Sequence, residues 1–95
     1  MSARVKTKLF TFTLTSHNLG AVLNSPQDAY VGSLALRAHK ENVGDITWDD
    51  GTGDPGGYLE PREAVSFDLT GKFIATTSFN LAGTVGDKIY ITVIA

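Results

Sequence analysis

Residues 87–95 read DKIYITVIA, and in that run Ile89, Ile91 and Val93 alternate with Tyr90, Thr92 and Ile94. A period of two marks a strand whose successive side chains point to opposite faces. Because Tyr90 and Ile94 make the second face apolar as well, this strand is expected mid-sheet or against another subunit. Tyr90 and Ile94 are accordingly the candidates for contact between copies.

The same alternation recurs upstream. In KLFTFTLTS (residues 8–16) Phe10, Phe12 and Leu14 alternate with threonines; in AYVGSLALRA (residues 29–38) Leu34, Leu36 and Ala38 share one face. In AVSFDL (residues 64–69) Val65, Phe67 and Leu69 oppose Ser66 and Asp68. Shorter strands are expected in GAVLN around Val22, DITWD from Ile46 to Trp48, and KFIAT around Ile74. Turn chemistry separates the runs at Asn18 to Gly20, Asn24 to Pro26, Asn42 to Gly44, Gly51 to Gly57, Thr70 to Gly71, and Gly83 to Gly86. No window sustains helical periodicity, and the best helical case, Pro26 to Tyr30, is one turn at most. The spacing predicts an all-β sandwich of about seven or eight short antiparallel strands, jelly-roll-like or immunoglobulin-like.

With 95 residues, 42% of them hydrophobic, the chain suits one domain. A core this thin makes oligomerisation a reasonable expectation. The stretch from Ser2 to Lys8 is polar and mildly basic, so residues 1–8 are expected as a flexible arm before a sandwich domain at 9–95. The start, MSARVKTKLF, lacks the apolar run of a signal peptide, and no stretch reaches the ~18 to 20 apolar residues of a membrane span. Eight Lys and Arg against ten Asp and Glu give a net charge of -2, and apart from Arg4, Lys6 and Lys8 the cations are scattered. That pattern offers no stripe for nucleic acid. The chain has no cysteine, so it carries neither disulfides nor thiolate chemistry.

The carboxylates of DDGTGDPGGYLE (residues 49–60) invite a test for calcium. An EF-hand alternates its ligands and ends on a glutamate, an order this stretch breaks at its third and fifth positions. Its glycines lack the lysine and helix of a phosphate loop. The stretch therefore reads as a long exposed turn, with no metal or cofactor expected. His17 and His39 have no partners at the spacing of a triad or a zinc site, so no catalytic residue is assigned and no enzyme is expected. A sugar-stacking site built from Trp48, Asp50, Asp54 and Tyr58 is the rival reading. Against it, a lone tryptophan in a small sandwich belongs to the core, and Tyr58 is the more exposed ring.

The second half resembles small accessory virion proteins of tailed bacteriophages, the capsid decoration or cement proteins and related head or tail adhesion proteins. The resemblance lies in LALRAHKENVGDITW (residues 34–48), GTGDPGGYLEPREAVSFDL (residues 51–69) and GTVGDKIYITVIA (residues 83–95). Arg62 departs from that pattern by standing where a turn glycine is usual, which leaves the turn type open; Trp48-Asp49 replaces a small residue. The resemblance implies a structural protein, often a homotrimer, on the capsid surface of a virion and made in the host bacterial cytoplasm. Its partner would be the major capsid protein, with Arg4, Lys6 and Lys8 of the arm as capsid contacts. A phage tail or baseplate subunit, or a carbohydrate-binding adhesion module, is the alternative.

Overall fold

The alternating run that ends the chain forms the middle of the first of two sheets. In the computed structural model, which describes residues 5–49, 55–68 and 72–94, the elements in chain order are β1 (Val5–Thr11), β2 (Ser16–Asn18), α1 (Leu19–Leu23), β3 (Tyr30–Val31), β4 (Ser33–Ala38), β5 (Ile46–Asp49), β6 (Pro55–Leu59), β7 (Ala64–Asp68), β8 (Ile74–Ala75), β9 (Asn80–Ala82) and β10 (Lys88–Ile94). Single 3₁₀ turns occupy Pro26–Asp28 and Thr76–Ser78.

β10 pairs antiparallel along one edge with β1, from Val5 opposite Ile94 to Thr11 opposite Lys88. On its other edge it pairs with β4, from Ser33 opposite Ile94 to Ala38 opposite Ile89. The sheet order is β1-β10-β4-β7, with β2-β9-β5-β6 as the second four-stranded sheet and β3-β8 as a two-stranded appendix. All pairings are antiparallel. Setting the appendix aside, every connection crosses between the two main sheets except the β5-β6 hairpin. That alternation is the jelly-roll order rather than the immunoglobulin one, in which the first two strands share a sheet.

Between the sheets lies the core. The first sheet contributes Leu34, Leu36, Ala38, Ile89, Ile91 and Val93, and the second contributes Ile46, Leu59 and Leu81. Each large aliphatic group so removed from water contributes about 1.5–3 kcal/mol before chain entropy is subtracted. The inward sets expected in β4 and β10 are those observed, and Val65 and Phe67 of β7 pack partly buried against the same cluster. Leu69 lies outside the described residues.

Three local expectations are corrected. GAVLN, expected as a strand, forms α1, because the Asn18 side chain accepts from the Ala21 N–H as an N-cap and Asn24 closes the helix in the left-handed region. Leu19, Val22 and Leu23 then face the core at helical spacing, in a segment too short to show a period in sequence. The alternation starting at Phe10 runs out before Leu14, which sits exposed in the β1-β2 turn. The arm expected at residues 1–8 is, from Val5 onward, strand: Lys6 and Lys8 are inner-side positions of β1, alternating with outward Val5, Thr7 and Leu9.

Trp48 faces inward and packs, partly buried, against the core cluster. Its indole stands edge-on to the Phe67 ring at 5.0 Å between centroids and lies 6.2 Å from Phe79. The indole also covers Gly56 and Gly57 of the neighbouring strand, and a Cβ on Gly56 would overlap it. Gly56→Ala is therefore expected to destabilise the fold by about 1–3 kcal/mol through forced displacement of the ring. Urea denaturation followed by Trp48 fluorescence checks this, and an unchanged midpoint would contradict it.

Candidate functional site

The register of the first sheet specifies which side chains its outer face presents. Row by row across β1, β10, β4 and β7 they are Val5, Ile94, Ser33 and Asp68; then Thr7, Thr92, Ala35 and Ser66; then Leu9, Tyr90, Arg37 and Ala64. Small residues fill the middle row, and the Thr7 and Thr92 hydroxyls meet there at 3.2 Å. On the β1-β10 half of the face, Val5, Leu9, Tyr90 and Ile94 are large hydrophobic groups exposed on either side of that middle row, Val5 at 65% and Leu9 at 48%. No described element covers this face.

Toward the Tyr90 end the face deepens into an open groove of about 680 Å³. Thr7, Ala35 and Thr92 line it together with Arg37, Lys40, Arg62, His39 and Tyr90. His39 stacks on Tyr90 with ring centroids 5.8 Å apart and planes 20° from parallel. The loop that carries Lys40 is held at several points. The His39 Nδ1 accepts from the Glu41 N–H at 3.1 Å, and the Asn42 side chain pairs with both backbone groups of Lys88 at 2.7 and 2.8 Å. Further along, the buried Asp87 carboxylate accepts the Val43 and Gly44 N–H groups, each at 3.0 Å.

Arg62 reaches the groove from the Glu60–Glu63 turn. The Glu63 N–H bonds the Glu60 carbonyl at 2.9 Å, Pro61 fixes the second position, and Arg62 at the third has φ of 77°. Proline before a positive-φ residue makes this a type II turn. The turn type left open by the sequence is thus the glycine type, with an arginine in it. A side chain there costs about 1–2 kcal/mol relative to the right-handed region. The Arg62 N–H does bond the Ala38 carbonyl at 3.1 Å, which ties the turn to β4 beside the groove. Among the described residues, no side chain or backbone oxygen pairs with the charged groups of Arg37, Lys40 or Arg62.

The residues singled out in the sequence fall in several places. Tyr90 and Ile94 lie on the exposed face, at 36% and 37% exposure. Lys6 and Lys8 do not reach outward as an arm would: the Lys6 Nζ pairs with the fully buried Asp28 carboxylate at 3.0 Å, and the Lys8 Nζ donates to the Val22 carbonyl at 2.8 Å. Lys8 thereby fastens β1 to α1, and Lys6 fastens it to the 3₁₀ turn that follows. Arg4, Asp50 and Asp54 lie outside the described residues. Trp48 and Tyr58 occupy opposite faces of the second sheet, since Trp48 pairs with Gly57 while Tyr58 pairs with Thr47. They cannot form one sugar-stacking platform.

His17 is structural. Its ring packs edge-on against Phe10 and Phe12, and its Nε2 accepts the Thr13 and Leu14 N–H groups of the β1-β2 turn. Among the described residues no three His, Asp or Glu side chains cluster to hold a metal ion, and no helix is long and apolar enough to cross a membrane. The groove was missed in the sequence because Arg62, in the turn before β7, is distant along the chain from Arg37 and Lys40 at the end of β4. The β4-β7 pairing and the Arg62 to Ala38 backbone bond bring it beside them.

No family model matches the chain, and no curated protein or solved structure matches it either.

The buried Asp28 makes Lys6 a sensitive position. Lys6→Ala is expected to lower stability by about 1.5–3 kcal/mol, the range for a hydrogen bond to a charged group. Chemical denaturation of the two proteins checks this, and a loss below about 0.5 kcal/mol would place Lys6 among ordinary surface positions.

Proposed function

We propose that this chain is a non-enzymatic structural virion protein of a tailed bacteriophage, decorating the capsid and bridging its subunits. The observation that carries this reading is the outer face of the β1-β10-β4-β7 sheet, which no described element covers and where exposed Val5, Leu9, Tyr90 and Ile94 of β1 and β10 flank a row of small residues. Apolar groups gathered on one rigid sheet face mark a docking surface. The resemblance of the second half to decoration and cement proteins names the partner: a subunit of the shell. Association of copies into a trimer belongs to the same proposal.

Magnitudes favour a lattice over a solitary partner. Strand spacing and rise make the face roughly 300 Å², against about 800 Å² per partner in a standard stable complex. One such contact is weak. On a repeating shell, many weak contacts act together, and each bridging copy adds an interface that must break before its subunits separate.

With residues from Val5 onward held in β1, the contact expected of an arm falls to the face. Deleting residues 1–8 would remove half of β1 along with any contact, so a substitution is the cleaner probe. The purified chain is expected to co-sediment with shells of the major capsid protein encoded beside its gene. Ala35→Arg, in the centre of the face, should reduce the bound fraction at least about tenfold, since like interface centres tolerate large charges poorly. Its melting temperature should stay within a few degrees of the parent, as expected of a surface substitution. Absence of a neighbouring capsid gene, or shell binding indifferent to Ala35→Arg, would overturn the reading.

A further inference from the structure

We propose that Arg37, Lys40 and Arg62 form a carboxylate-binding site that takes an acidic, extended segment of a protein partner. This rests on the reading of the first sheet as a docking face, though not on the partner being a capsid subunit.

The first observation is the strain at Arg62. A φ of 77° is where glycine fits freely and a side chain does not, and the guanidinium gains no ion pair or hydrogen bond among the described residues. Backbone strain with no internal return points to a use outside the chain. Charge is the second observation. Acidic residues outnumber basic ones by ten to eight, yet three cations on one groove have no carboxylate partner among the described residues. Guanidinium forks match carboxylates in a bidentate manner, and Lys40 adds a point charge on a loop pinned by Asn42 and Asp87.

The shape of the groove selects an extended segment. From Thr7 on β1 to Ala64 on β7 it crosses the whole sheet, about 14 Å at ordinary strand spacing. A small carboxylic acid needs a site that encloses most of its surface, which an open sheet face does not do. An extended peptide carries same-side groups about 7 Å apart, so two of its carboxylates can meet separate cations while its backbone crosses the flat His39–Tyr90 stack. A nucleic acid would need a longer run of cations than three.

The test uses the full, isotope-labelled chain and an end-capped hexapeptide alternating glutamate with glycine, followed by NMR. Amide shifts are expected at residues 37–40, 62–64 and 88–92, and the same peptide with glutamine should cause none. Arg62→Gly should weaken peptide binding about tenfold while raising the melting temperature by several degrees, because the turn strain is relieved. Arg37→Gln should weaken binding to a similar extent without raising the melting temperature. Binding of the glutamine peptide, displacement by inorganic phosphate at equal concentration, undiminished binding by Arg62→Gly, or a lower melting temperature in that variant would each overturn the proposal. Peptide binding by a chain that ignores capsid shells would uphold this site and remove only the capsid reading; shell binding without peptide binding would do the reverse.

Discussion

The double pairing of β10 is the constraint on which the molecule depends. Its backbone is satisfied on both edges, by β1 and by β4, and its inner side chains Ile89, Ile91 and Val93 are removed from water. A slip of one residue would send Tyr90, Thr92 and Ile94 into the core and expose the aliphatic set, so the register is held by burial rather than by any turn. Because the register is fixed, the outer face is fixed with it: Tyr90 stands beside Arg37, and Ile94 beside Val5. The same hydrophobic requirement that closes the fold also arranges the surface proposed to dock.

Around that frame, polar residues act mainly as internal fasteners. Lys8 holds β1 to α1 and Lys6 holds it to the 3₁₀ turn at Pro26–Asp28, Asn18 caps α1, and its side-chain amide also donates to the Thr77 carbonyl at 2.8 Å, linking β2 to the turn before β9. Asn42 and Asp87 clamp the loop after β4 against the start of β10. The buried side-chain polar atoms among the described residues all have partners. Leaving a buried polar group unpaired costs about 1–3 kcal/mol, which explains why these asparagines and aspartates are engaged in local geometry instead of facing solvent. Against this background the charges of Arg37, Lys40 and Arg62, without a partner among the described residues, stand out, and the strained backbone of Arg62 makes the contrast sharper.

Strand alternation is a local property, and it was legible wherever a strand had one wet and one dry face. DKIYITVIA and SLALRA could be assigned inward sets correctly because a period of two survives without knowledge of the partner strand. The apolar second face of β10 pointed to a central position or a contact with another subunit, and the central position is the one observed. The short helix at Leu19–Leu23 was hidden for the opposite reason: five residues are too few for a period, and only the Asn18 cap and burial against the core decide the conformation. The lysines of β1 read as a basic arm, since nothing local reveals that a buried Asp28, distant in sequence, lies opposite Lys6.

From its residues alone the chain is determined as a single all-β sandwich, cysteine-free, with alternating aliphatic strands and an acidic balance. Tertiary structure decided the jelly-roll order over the immunoglobulin one, the opposite facing of Trp48 and Tyr58, and the meeting of Arg37, Lys40 and Arg62 in one groove. The division follows from the range of the forces: side-chain periodicity is set by neighbours along the backbone, whereas strand order and groove composition are set by which distant segments bury one another.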